Sequence, residues 1–189
     1  MNVRRIGLFG GTFDPPHFGH VAALRAAAAT GRFDRIEVTV AGNPYRKSTD
    51  GSVLAASVRL AMAQVAFANF DLVVVSDREI RREGPSYTID TVRELLAGAD
   101  AVDLIVGADL ASQLDGWHEA EQLRTLVRVG VVPRPGAATF IPKGWTSYEI
   151  PMQPVDLSST FIRRLDRDGG DLERFVPASV IALYEGARG

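Results

Sequence analysis

The sequence predicts an α/β fold built on a doubly wound, mostly parallel sheet with short helices towards its C-terminal end. Two observations carry this. Five short runs are β-branched and nearly continuous in hydrophobicity, as strands covered on both faces are. Between them lie longer segments whose apolar residues recur at helical spacing. Strand–helix–strand alternation of this kind packs as parallel strands joined by right-handed crossovers.

The elements follow in order. RRIGLF (residues 4–9) is the first strand, and the helix after it carries Val21, Leu24, Arg25 and Ala28 and stops at Gly31. RIEVTV (35–40) is the second strand, followed by a helix over residues 53–68 with Leu54, Val58, Met62 and Val65 on one face. DLVVVS (71–76) and VDLIVG (102–107) flank a helix around residues 92–96. A further helix over residues 119–126 leads into VRVGVV (127–132). Residues 134–154 are rich in proline and glycine and read as loop, with one strand near residues 148–152. SSTFIRRL and PASVIALYEG are two short helices, the second with Pro177 in its first turn and Gly186 after its end. There is no internal repeat and no low-complexity linker, and 189 residues suit one domain spanning 1–189.

Composition narrows the function. A formal charge of −2 with mixed signs gives no basic face for nucleic acid and no membrane-surface patch. The absence of cysteine excludes disulfides, thiolate metal sites and cysteine catalysis, and suits a cytoplasmic protein. No stretch approaches the ~18 apolar residues of a membrane helix, and nothing at the start reads as a signal peptide.

The stretch GGTFDPPHFGH, from Gly10 to His20, holds two of the three histidines directly where the first strand should become a helix. In a doubly wound sheet this loop faces the ligand crevice. Gly10 and Gly11 let backbone N–H groups approach an anion, and the following helix offers free N–H groups and a positive dipole end. Simple strand exit is the alternative reading for two glycines alone. The stretch lacks the G-x-G-x-x-G spacing of a dinucleotide site and the G-K-[ST] ending of a P-loop. His17 and His20 lie three apart and share a helix face. Without a third ligand or a cysteine nearby, phosphate oxygens suit the pair better than a metal.

GGTFDPPHFGH closely resembles the signature of the HxGH nucleotidyltransferase superfamily, and with histidine at position 17 it is similar to the bacterial nicotinate-mononucleotide adenylyltransferases. GPSYTIDTV (Gly84 to Val92), GADLASQLDGWHEAEQL (Gly107 to Leu123) and LSSTFIRR (Leu157 to Arg164) resemble further segments of that family. The resemblance implies a Rossmann-like nucleotidyltransferase fold and transfer of an adenylyl group from ATP, with Mg²⁺, to nicotinate mononucleotide. It implies an ATP site of Gly10, Gly11, Thr12, Phe13, His17, His20, Gly107, Asp109, Ser159, Thr160 and Arg163. Of these, His17, His20 and Arg163 are the expected catalytic residues. It places Tyr87, Thr88 and Trp117 on the mononucleotide, Trp117 against the pyridine ring. The match is weakest at residues 42–53, where Asn43, Arg46 and Lys47 are the candidate acceptor contacts. No protein metal ligand is expected.

Local chemistry offers each residue a second reading. Ser158 or Ser159 suits a helix N-cap, and so do Asp14, Thr88 and Asp109. Arg163, one turn into a helix, suits a two-pronged phosphate clamp, whereas Arg164 reads as solvated. Trp117 sits among small and polar neighbours at a site edge, and His118 reads as a surface histidine. The expected partners are thus small molecules, ATP and nicotinate mononucleotide, with neither nucleic acid nor membrane, and a homo-oligomer stays open. A transferase acting on another phosphorylated acceptor is the alternative, and a non-catalytic nucleotide sensor a more distant one.

Overall fold

The computed structural model describes residues 4–43, 53–136 and 141–188. Its strands are β1 (Arg5–Gly11), β2 (Arg35–Val40), β3 (Val73–Ser76), β4 (Ala101–Gly107), β5 (Val127–Val132) and β6 (Ser147–Glu149). All pair in parallel, in the order β3-β2-β1-β4-β5-β6. The helices are α1 (Phe18–Ala29), α2 (Ala56–Phe67), α3 (Arg78–Arg81), α4 (Thr88–Leu96), α5 (Ala108–Ala111), α6 (Ala120–Leu126), α7 (Ser159–Arg167) and α8 (Ala178–Gly186).

Side-chain alternation along the strands sorts the core into two layers. Ile6 and Leu8 of β1 and Val102, Leu104 and Val106 of β4 face α4 and α6, joined by Ile89, Val92, Leu95 and Leu123. Phe9 and Ile105 point the other way, into a cluster with Ala27, Phe33, Ile36, Val38 and Phe67 that α1 and α2 cover. A third cluster, with Met62, Ile162, Val176, Val180 and Tyr184, packs α7 and α8 onto α2.

The strand order reverses between β1 and β4: β2 and β3 build outward on one side, then β4, β5 and β6 on the other. Ligands bind at such a switch point, beyond the carboxyl ends of the strands. The loop after β1 opens there.

Several elements differ from expectation. α2 starts at Ala56 rather than residue 53, and β6 covers Ser147–Glu149 rather than reaching residue 152. Gly186 is the last residue of α8, and Pro177 is its N-cap. β3 is an edge strand paired only with β2, so Val74 is 48% exposed rather than covered on both faces. The strands also bury carboxylates. Glu37 is held by Arg78 at 2.8 Å, and Asp103 by Arg5 at 2.7 Å and the Tyr148 hydroxyl at 2.9 Å. Such pairing is what makes a buried charge tolerable.

Candidate active site

The loop after β1 turns on Phe13, whose φ of 52° lies in the left-handed region. That turn sends the ring back beneath Gly11, where a Cβ would meet the Phe13 ring at 2.8 Å. Phe67 meets the buried Phe13 ring edge-on at 5.7 Å. His20 stands edge-on to it at 5.1 Å. The glycine therefore makes room for a ring that props the loop from inside.

α1 is capped by His17, which is 1% exposed, and not by Asp14 as the N-cap reading had it. Two prolines, Pro15 and Pro16, separate Asp14 from the helix start. His17 and His20 instead form a reciprocal capping box, in which the His17 backbone N–H donates to His20 Nδ1 at 3.2 Å. With Nδ1 accepting, the ring proton of His20 resides on Nε2, the nitrogen that can donate to a ligand. The two rings stack with centroids 3.7 Å apart.

Gly19 is the residue that allows this stack. A Cβ there would come 2.9 Å from His17 Nδ1. Gly19→Ala thus sets two effects against each other: up to about 1 kcal/mol gained in helix propensity and about 1–3 kcal/mol lost to overpacking. The clash is the larger, so the expected result is a lower Tm in thermal unfolding, together with a shifted His17 imidazole resonance. A Gly19→Ala protein more stable than the parent would refute the packing argument.

α7 begins at the same loop. Ser158 is its N-cap, accepting from the Phe161 N–H at 3.1 Å, which decides between the two serines. The Ser159 hydroxyl donates to the Pro15 carbonyl at 3.0 Å and fastens the helix start to the loop. Arg163 Nη1 donates to the Asp14 carbonyl at 2.8 Å and lies 3.7 Å from Asp14 Oδ2. Asp14 is fully buried, and burial pushes its carboxyl above the usual range, with the Arg163 charge opposing. The side chain of Arg163 is 22% exposed, that of Arg164 78%.

Beyond β4, the N-cap of α5 is Gly107, so Asp109 lies inside the first turn and is not the cap. Arg134 reaches Asp109 at 3.7 Å and donates to the Leu157 carbonyl at 2.6 Å. The N-cap of α4 is Tyr87 and not Thr88, which is the first helical residue.

These groups line one crevice of about 580 Å³. Gly10, Gly11, Thr12, Phe13, His17, His20, Ser159, Thr160 and Arg163 form one end, and Gly107, Asp109, Thr88 and Trp117 also line it. Tyr87 and Asn43 stand outside the lining. The Tyr87 ring stacks on His118 at 3.9 Å, so that histidine is a packing partner as well as a surface residue. The Asn43 backbone N–H donates to Ser86 Oγ at 3.1 Å. Arg46 and Lys47 lie outside the described residues.

Two further lining residues have no signal in local sequence, Glu79 and Arg134, and a third, Ser86, lies within GPSYTIDTV. Glu79 accepts from the Thr91 hydroxyl at 2.7 Å, and burial pushes its carboxyl up. Among the described residues no cluster of three or more His, Asp or Glu could hold a metal ion. The chemistry on offer is hydrogen-bond donation: two imidazoles, a guanidinium and the N-termini of α1 and α7 converge on one end of the crevice. That arrangement suits a polyphosphate.

Residues 8–165 match the family described as cytidylyltransferase-like. A Methylibium petroleiphilum protein named "Probable nicotinate-nucleotide adenylyltransferase" is 38% identical over 96% of this chain and 89% of its own. One from Exiguobacterium sibiricum, with the same name, is 36% identical over 96% of both chains. The Plasmodium falciparum nicotinic acid mononucleotide adenylyltransferase complexed with NaAD superposes with a TM-score of 0.79 at 20% identity, covering 95% of this chain and 94% of that one, a likeness of fold. Among the described residues no helix is long and apolar enough to cross a membrane.

Proposed function

The chain belongs to the cytidylyltransferase-like family and, within it, to the nicotinate-nucleotide adenylyltransferases, and from that premise we propose that it joins ATP and nicotinate mononucleotide into nicotinate adenine dinucleotide and pyrophosphate. The observation that supports it best is the single crevice with the paired imidazoles and Arg163 at one end and Trp117 and Thr88 also in its lining. ATP enters as its magnesium complex, the ion held by phosphate oxygens and water. We take residues 1–189 as one nucleotidyltransferase domain and its location as cytoplasmic.

The 5′-phosphate of the mononucleotide attacks the α-phosphorus of ATP in line. One P–O bond forms as the bond to the β-phosphate oxygen breaks, and pyrophosphate leaves. A phosphate is already a competent nucleophile, so catalysis reduces to alignment and to stabilising charge on the transferring group. His20 Nε2–H donates to the α-phosphate. His17, Arg163 and the loop from Gly10 to Phe13 hold the rest of the triphosphate. Gly107 and Asp109 meet the adenosine ribose, and Ser159 and Thr160 offer the backbone N–H groups of the first turn of α7. On the acceptor side Thr88 and Trp117 hold the nicotinate, Tyr87 and Asn43 stand behind the lining, and Lys47 is a further candidate contact.

Pyrophosphate release from ATP and Mg²⁺ with a panel of phosphorylated acceptors tests the reading. Turnover is expected with nicotinate mononucleotide. Release with a different acceptor alone would reassign the substrate, and no release with any would point to a nucleotide sensor.

Arg163→Lys keeps the charge but loses the planar, two-pronged contact a phosphate accepts. KM for ATP is expected to rise about tenfold to a hundredfold, the worth of one charge-assisted hydrogen bond, with Tm little changed. Unchanged ATP kinetics would reduce Arg163 to its bond with the Asp14 carbonyl.

A further inference from the structure

We propose that Arg59, which lies outside the crevice lining, is a positioning residue that couples the ATP end of the site to the acceptor end. This inference rests on the reaction proposed above. Arg59 projects from α2 and is 1% exposed. Its guanidinium spends its donors on backbone carbonyls: Nε on Leu54 at 2.9 Å, Nη1 on Thr12 at 2.9 Å and Ala41 at 2.7 Å, and Nη2 on Gly42 at 3.3 Å. No carboxylate is hydrogen-bonded to it among the described residues, and the charge acting on it comes from Asp14.

Packing alone does not ask for this. A buried charge is costly even when fully bonded, and an apolar side chain would fill the helix–sheet interface more cheaply. What the guanidinium supplies is a rigid fork of donors. It grips three chain segments just where the sheet ends: the loop after β1, the loop after β2 and the entry to α2. The first two are also joined by the Ala41 N–H, which donates to the Gly11 carbonyl at 2.9 Å. Past that rung their carbonyls need other partners.

Two of the gripped segments, the loops after β1 and β2, each lead to one end of the site. Thr12 precedes Phe13 and Asp14, whose carbonyl receives Arg163. On the other side, the N–H groups of Gly42 and Asn43 donate to Ser86 Oγ at 3.0 and 3.1 Å, and the Ser86 N–H donates to the Asn43 carbonyl at 3.1 Å. Ser86 lines the crevice two residues before Thr88. A connected run of hydrogen bonds thus joins Ser86, the Gly42–Asn43 backbone, Arg59, the β1 loop and Arg163. Occupying either end restrains the segment that Arg59 shares with the other.

The test is calorimetric titration of the Mg²⁺ complex of α,β-methylene-ATP with and without saturating nicotinate mononucleotide. In the parent protein the second ligand is expected to tighten binding of the first about tenfold, and reciprocally, in the usual range for coupled sites. In Arg59→Lys each ligand alone binds within about threefold of the parent, while the tenfold coupling disappears and kcat falls more than either KM changes. A folded Arg59→Lys protein that keeps the coupling overturns the proposal. A second measurement needs no variant: in the parent, α,β-methylene-ATP alone slows amide exchange at Gly42, Asn43 and Ser86, and unchanged exchange there overturns it equally. Independent binding of both ligands defeats this inference alone, whereas failure of either to bind defeats the assigned reaction with it.

Discussion

His20→Ala is expected to lower kcat by ~10²–10³, the cost of removing one donor aimed at charge that grows in the transition state. KM for ATP should move far less, because His17, Arg163 and the helix N-termini still hold the triphosphate. The geometry makes the donor specific. Nδ1 of His20 accepts from the His17 N–H at 3.2 Å, so Nε2 is the nitrogen that donates. The substitution also removes half of the α1 capping box, at about 1 kcal/mol of stability. Circular dichroism and Tm must therefore be measured beside the kinetics. Near-normal kcat in a folded His20→Ala protein would refute the assignment.

The second large effect is the choice between the acid and the amide mononucleotide. A nicotinate carboxylate needs donors around it. The acceptor region offers the backbone N–H groups at the start of α4, around Thr88, while the Trp117 ring lines the crevice as a surface for the pyridine ring. The Trp117 ring is half-buried against the α4–α6 core layer, so its position is fixed before any ligand arrives. An amide would turn its own N–H₂ towards one of these donors. Each buried group left unpaired costs ~1–3 kcal/mol, so the acid should be preferred about tenfold to a hundredfold in kcat/KM. Steady-state rates with the two mononucleotides, in the parent and in Trp117→Ala, measure this. Equal use of both, or indifference to the loss of Trp117, would sink the account of the acceptor end and leave adenylyl transfer standing.

What was legible in the sequence was what is local. Residues 35–40 and 127–132 read as strands and are β2 and β5 residue for residue, because their apolar pattern is set by burial on both faces. The helices α3 and α5, of four residues each, are too short for a period to register. GGTFDPPHFGH could be read because two glycines and two imidazoles one helical turn apart crowd the end of a strand, and in the folded chain they line the crevice. Asp14 and Thr88 were given cap roles because residue type is all that a cap shows in sequence, and in the folded chain His17 and Tyr87 take those places. Glu79 and Arg59 could not be read at all. Arg59 bonds Thr12, 47 positions away, and Glu79 bonds Thr91, 12 positions away, and such pairings exist only once the sheet brings the loops together.

The fastening of α7 to the β1 loop has a consequence in time. Ser159 reaches Pro15 across 144 positions and Arg163 reaches Asp14 across 149. During synthesis all six strands leave the ribosome before these residues do. Contacts this distant along the chain are closed late, because the loop entropy they cost must be met by structure already formed. A nascent chain can thus complete its sheet while the fastening of α7 to the β1 loop is still missing, and under the proposed assignment the phosphate end of the crevice is among the last features to form.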